Sequence, residues 1–176
     1  MASEDNTGMI ERVMSVEEQC WICLEEDNPK NLCRPCSCPR LVHPKCIAHW
    51  QIHSMGKAEE THCRFCNQQL ANWKEYFVPS GQDEEANVVV AVYSQGKSIK
   101  IKCSTGPNGL IDFKKKIQDV LGLTAEEIER TFQFTFYTQL PNTKRKVKMD
   151  GLQSFQMAMQ CASVSKLLRK ESPGNC

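Results

Sequence analysis

The apolar positions change rhythm near residue 87. From there Val88 to Tyr93 is strongly β-forming, and Ser94-Gln95-Gly96 is a turn. Between Ser98 and Cys103, Ile99, Ile101 and Cys103 alternate with Lys100 and Lys102. Two such runs about a short turn predict a β-hairpin. Phe113, Ile117, Val120 and Leu121 then recur at helical spacing, and Gly122 stands where a helix would stop. Thr124-x-x-Glu127 forms a capping box for a short helix. Thr131 to Thr138 predicts a strand with Phe132, Phe134 and Phe136 on one face, and Pro141-Asn142 turns the chain. Lys144 to Met149 alternates again, with Val147 and Met149 inward. Asp150 is placed to cap a helix bearing Leu152, Phe155, Met159 and Ala162, and a short closing strand is expected near Val164 to Leu168.

Before residue 87 the periodicity is weaker. Residues 1–15 are polar, charged and terminal, the composition of a disordered segment. A helix is expected to start at Pro44 and run to about Met55-Gly56, since proline suits a first turn and glycine an end. Ile47, Trp50 and Gln51 fall at helical spacing from His43 and Cys46. Trp73 and Tyr76 are expected to pack back on a small domain short of core. Phe77 to Ala86 gathers Pro, Ser, Gly and acids, the composition of a linker.

What this first part lacks in periodicity it makes up in metal-ligand chemistry. Cys20 and Cys23, Cys36 and Cys38, His43 and Cys46, and Cys63 and Cys66 are four close pairs of thiolate and imidazole donors. Such donors suit tetrahedral zinc, and structural sites are closed by four protein ligands. Eight ligands make two complete sites, so two zinc ions are expected. Spacing alone also permits a sequential grouping of Cys20, Cys23, Cys36 and Cys38. Cys33 is a spare thiol and reads as a small apolar residue. His62 adjoins Cys63, where the Cys-x-x-Cys turn favours the cysteine. His49 and His53 share a helix face but have no third ligand in view, and read as a solvated or partner-facing pair of imidazoles.

The stretch from Cys20 to Cys66 resembles the RING-CH (RINGv) variant of the RING zinc finger of ubiquitin ligases. The likeness rests on Pro35-Cys36-x-Cys38, on His43 followed by Cys46, and on Trp50 four residues after Cys46. Only four residues separate Cys38 from His43, fewer than membrane-associated members usually have, so this loop is expected to be tighter. The resemblance implies a cross-brace: Cys20, Cys23, His43 and Cys46 on one zinc, and Cys36, Cys38, Cys63 and Cys66 on the other. It also implies a RING-type ligase without catalytic residues of its own. Such a ligase holds a ubiquitin-conjugating enzyme and its ubiquitin while a protein substrate, here unknown, is modified. The partner groove would be Ile22, Trp50 and Phe65, each of which also reads as core of a minimal finger. Asn67 stands where many such ligases carry a basic residue. A plant-homeodomain finger, a histone-tail reader, uses the same ligand order. It expects an aromatic at position 61, which is Thr, and a shorter span before the last Cys pair.

The β-β-α-β-β-α order of the second part resembles a β-grasp fold, shared by ubiquitin-like and Phox-and-Bem1 domains. The closer likeness is to the latter, through Asp150-Gly-Leu-x-x-Phe-x-x-Ala. The acidic cluster of such domains would fall at residues 139–146, which are basic here. The expected layout is an α+β chain: a disordered N-terminus 1–15, a finger 16–76, a linker 77–86, a β-grasp-like interaction domain 87–168 and a tail 169–176.

Charge sharpens this division. The 176 residues carry a net charge of +1. Up to residue 85 there are 8 Lys/Arg against 14 Asp/Glu, and beyond it 14 against 7, the signature of two modules with different surfaces. The acidic run Glu25 to Asp27 reads as a solvated loop face. Lys114 to Lys116 and Lys144 to Lys148 form basic clusters that would attract phosphate. The aromatics around them alternate inward, so a solvated face or an acidic protein partner is favoured over nucleic acid. Eleven cysteines without a signal-peptide pattern point to a reducing compartment, cytoplasmic or nuclear. No run of about 18 apolar residues is present, so no membrane association is expected.

Overall fold

The computed structural model describes residues 19–78, 87–94 and 97–171. The N-terminal segment expected to be disordered, all but the first two residues of the expected linker, and the last five residues of the tail lie outside the described residues.

In the first part the helix forms where proline allows it. Helix α1 spans Pro44–His53, with Pro44 in its first turn. It stops two residues short of the expected end, and Gly56 at φ 74° then reverses the chain. The helix faces two ways. Ile47 packs with Cys20, Leu32, Val42 and Leu70 in the small core of the finger. Ala48 and Ile52 belong to a second, larger cluster that also contains Trp73 and Val78. Trp73 sits in a one-turn helix, Trp73–Tyr76, opened by a capping box between Asn72 and Glu75. Tyr76 packs against both clusters.

The second part supplies the rest of that larger cluster. Strands β1 (Asn87–Ser94) and β2 (Lys97–Ser104) pair antiparallel, and Ile101 and Cys103 turn inward as their alternation requires. Helix α2 (Gly109–Leu121) buries Phe113 and Ile117 and ends at Gly122, φ 66°. Val120, expected on the same face, is exposed instead. Gly109 is required by space: a Cβ there would lie 2.1 Å from the Ser104 carbonyl oxygen. Helix α3 (Ala125–Thr131) carries the expected Thr124–Glu127 capping box. Strands β3 (Thr135–Gln139) and β4 (Lys146–Asp150) form a second antiparallel hairpin. Phe113 stacks on Phe155 at 4.9 Å between ring centres, with Phe134 and Phe136 around it.

Two expectations fail at the end of the chain. Asp150 caps no helix. It closes β4, where its carboxylate accepts from Thr135 Oγ1 at 2.7 Å and pairs with Lys148 at 3.2 Å. A short turn, Leu152–Ser154, follows, opened by Gly151 and held by Ser154 Oγ donating to the Asp150 carbonyl. Residues 164–168 are not a strand. They lie within helix α4 (Phe155–Glu171), which also takes in the start of the expected tail. Val164 keeps the buried stripe of Phe155, Met157, Ala158 and Cys161 going, so a helix satisfies the apolar run that was read as a strand. The result is a mixed α/β chain with two separate two-stranded sheets among the described residues.

Candidate metal centre

Two loops of the same design present the first and last cysteine pairs. The amide of Leu24 donates to the Cys20 carbonyl at 2.8 Å, and that of Cys20 to the Glu25 carbonyl at 3.0 Å. The amide of Asn67 donates to the Cys63 carbonyl at 2.8 Å, and that of Cys63 to the Gln68 carbonyl at 2.8 Å. Leu24 and Asn67 occupy the same place in each loop and both are left-handed, at φ 61° and 56°. Asparagine tolerates that conformation; leucine pays strain for it. An isolated bridge between Cys33 and Val42 brings the middle ligands in between these loops.

The ligand atoms of Cys20, Cys23, His43 and Cys46 all lie within 4.8 Å of one another, as do those of Cys36, Cys38, Cys63 and Cys66. The grouping is therefore interleaved, and the sequential alternative is excluded. Tetrahedral zinc would hold a sulfur and an imidazole nitrogen about 3.6 Å apart, from its usual bond lengths. His43 Nδ1 lies 3.4 Å from Cys23 Sγ and 3.7 Å from Cys46 Sγ. The two tetrads fit two zinc ions.

Proton affinities within the tetrads are pulled apart. Burial pushes the Cys20 thiol up, but the backbone N–H groups of Cys23, His43 and Ile22 outweigh it and hold it at about 7. Cys46 is pushed up to about 12 by burial and by the neighbouring Cys20 sulfur. In the other tetrad the backbone N–H of Gln68 does most to hold Cys66 at about 7. Cys38 is raised to about 12, first through its contact with Cys66. Three or four thiols packed this closely cannot all ionise unaided, and a bound dication would let them do so.

The imidazole of His43 is oriented from behind. Its Nε2 lies 3.0 Å from Asp27 Oδ2. The other carboxylate oxygen accepts from the Asn28 amide at 2.7 Å and Asn31 Nδ2 at 2.9 Å. These bonds hold the Asp27 carboxyl below the usual carboxylate range, the Asn31 contact foremost. Asp27 was read as part of a solvated loop. A carboxylate behind a ligating histidine fixes its tautomer and ring orientation, and a spacing pattern contains no signal for it.

Beside the second tetrad lies an aromatic cluster. The Trp21 ring packs edge-on against Trp50 and Phe65, each at 5.3 Å. The Arg40 guanidinium lies 4.4 Å from the centre of the Phe65 ring, and that of Arg64 5.5 Å from Trp50. Trp50 and Phe65 were expected together; Trp21, which joins them, was not singled out, nor were the arginines. Only about 10 Å³ stays open among these residues, about one water, so the cluster offers a surface and not a pocket. Phe65 is 47% exposed. Ile22 is half-buried beside the finger core. Asn67 is exposed at the loop position just described.

The remaining candidates are placed elsewhere. Cys33 stays outside both tetrads, and burial raises its thiol. His62 Nδ1 lies 2.9 Å from Thr61 Oγ1. His49 donates from Nε2 to the Pro141 carbonyl at 3.0 Å, which ties α1 to the β3–β4 turn instead of to solvent. Of the basic clusters, Lys114 pairs with Glu129 at 2.6 Å, while Lys144, Arg145 and Lys146 are exposed.

No curated protein and no solved structure matches the chain. A family match covers residues 20–66, the span from the first to the last metal ligand. With its two interleaved Cys/His tetrads, this stretch is a RING-variant domain.

Proposed function

We propose that the finger docks a ubiquitin-conjugating enzyme and promotes transfer of its ubiquitin to a protein substrate. The observation that carries this reading is the cross-braced RING-variant domain with the half-exposed cluster of Trp21, Trp50 and Phe65 at its surface. RING-variant domains are typically ubiquitin ligases, and RING-type domains generally bind conjugating enzymes. An exposed apolar group on so small a domain is more often a docking site than an accident.

In this reading the chain contributes position. Ile22, Trp50 and Phe65 seat the conjugating enzyme, and Arg40 and Arg64 border the seat. Asn67 offers an uncharged hydrogen-bonding side chain toward enzyme and ubiquitin. Holding two reactants in register lowers the barrier without a nucleophile on the scaffold. The thiols agree with that division of labour. Among the described residues, Cys33, Cys103 and Cys161 lie outside the tetrads, and burial raises all three. A nucleophilic cysteine needs the opposite shift. The C-terminal elements, taken as an open relative of the β-grasp fold, would hold the substrate, and a reducing cytoplasmic or nuclear setting would keep the zinc thiolates intact.

The test is autoubiquitination with purified activating enzyme and a panel of conjugating enzymes. Chain formation that chelation abolishes supports the ligase. No transfer with any conjugating enzyme, together with binding of an unmodified histone tail, would replace it with a reader.

A further inference from the structure

Among the described residues, β1 pairs only with β2 and β3 only with β4. Each hairpin therefore keeps an unpaired edge on each of its strands, and the edges of β1 and β3 meet at one groove of about 550 Å³. Consecutive residues line it: 88–92 from β1 and 132–138 from the β3 side. Successive side chains of a strand point to opposite faces. A hollow over one face would touch alternate residues, and one that touches every residue runs along the edge. At such an edge every second residue directs its N–H and C=O away from its partner strand.

The surroundings describe what would fill the space. Phe113 and Ile117 of α2 and Ala158 and Met159 of α4 line it from the inner side and are apolar. Helix α4 packs against both β1 and β3, but a helix has no ladder to offer them. On the solvent face Val89 is 62% exposed and Tyr137 71% exposed, one on each lip. One strand further out stand lysines: Lys102 opposite Val89, Lys100 opposite Ala91, and Lys148 opposite Tyr137. Asp150 is the only acidic residue in the four strands and is already bonded to Thr135 and Lys148.

We propose that the groove between β1 and β3 receives an extended segment of a partner protein whose apolar residues turn inward and alternate with acidic residues turned to solvent, joining the two hairpins into one five-stranded sheet. Backbone hydrogen bonds to both edges would give affinity, and alternate side chains would give selectivity. Lys100 and Lys102 select the acidic residues, and the inner lining selects the apolar ones. This site is independent of the ligase reading: it uses no finger residue and needs no ubiquitin.

The test is amide hydrogen exchange of the full zinc-loaded protein, alone and with nine-residue synthetic peptides in which Val, Ile or Phe alternates with Glu. With peptide, amides in both 88–92 and 134–138 should slow together. Two controls leave the fold intact. Methylating alternate backbone nitrogens of the bound peptide should weaken it by about tenfold or more, because those hydrogen bonds are lost. Lys100→Glu with Lys102→Glu should weaken it similarly, and the loss should shrink in high salt. The proposal is overturned if no peptide protects the edges, if only one edge responds, or if methylated and unmethylated peptides bind alike. It is also overturned if both edges are already protected in the free protein, since the groove would then hold the chain's own residues or a second copy.

Discussion

The side chain of Asp27 touches His43 at 3.0 Å, on the face of the imidazole opposite the sulfurs of Cys23 and Cys46. Nδ1 faces the metal position and Nε2 the carboxylate, so one residue of an otherwise solvent-facing loop sets the orientation of the only imidazole ligand. Replacing Asp27 with Ala should weaken zinc at the first site by roughly 10- to 100-fold. Asp27→Asn should fall between, since it keeps an acceptor for the Asn28 and Asn31 amides but loses the charge. Competition against a graded series of chelators measures this, and the second site should be unchanged.

Removing zinc altogether should be felt beyond the finger. Apparent binding energies of structural zinc sites are about 10–16 kcal/mol, and that energy is folding energy. Ala48 and Ile52 of α1 share an apolar cluster with Phe113, Ile117 and Phe155. Chelation should therefore unfold residues 20–66 and also speed amide exchange in α2 and α4. Exchange in those helices that is untouched by chelation would mean that the shared cluster contributes little.

Much of this was legible in the sequence, and the misses have physical causes. Cysteine and histidine at ligand spacing announce themselves because metal coordination admits few residue types. Gly122 and the Thr124–Glu127 box were readable because the cap chemistry is local. Asp27 was not, because any loop may carry an aspartate and only the folded distance to His43 gives it a role. Trp21 was passed over for its neighbour Ile22, since two apolar residues inside a four-residue turn cannot be ranked without the geometry. Residues 164–168 were misread because a short apolar run fits a buried strand or a buried helix equally well. Asp150 has the chemistry of a cap, but its carboxylate was taken by Thr135 and Lys148 across the hairpin.

At Gly109 a side chain has no room. The added methyl of Gly109→Ala would meet the Ser104 backbone oxygen, so β2 or the start of α2 must shift. Overpacking of this kind typically costs about 1–3 kcal/mol. Denaturant melts should show that loss with zinc content unchanged.

Burial of His49 gives the protein a defined acid sensitivity. Burial lowers the pKa of His49 from its ordinary 6.5, with His53, Arg145 and Lys45 adding to the effect and the Pro141 carbonyl opposing it. The unfolded chain thus takes up a proton at this residue before the folded one does. Its contribution is full above about pH 6.5 and is lost as pH falls toward the lowered folded value. Going from about pH 7.5 to 5.5, the wild type should lose more stability than His49→Gln. Equal losses would place His49 in solvent.

The ligase reading stands or falls on ubiquitin discharge from a loaded conjugating enzyme, measured beside zinc content on the same samples. Ile22→Ala removes no ligand, so both zinc ions should remain. An anchor of this kind commonly contributes about 2 kcal/mol at an interface, more than tenfold in affinity. The account predicts full zinc occupancy with discharge slowed about tenfold or more for Ile22→Ala. Full zinc occupancy with discharge at the wild-type rate, for every conjugating enzyme that the wild type activates, would contradict it.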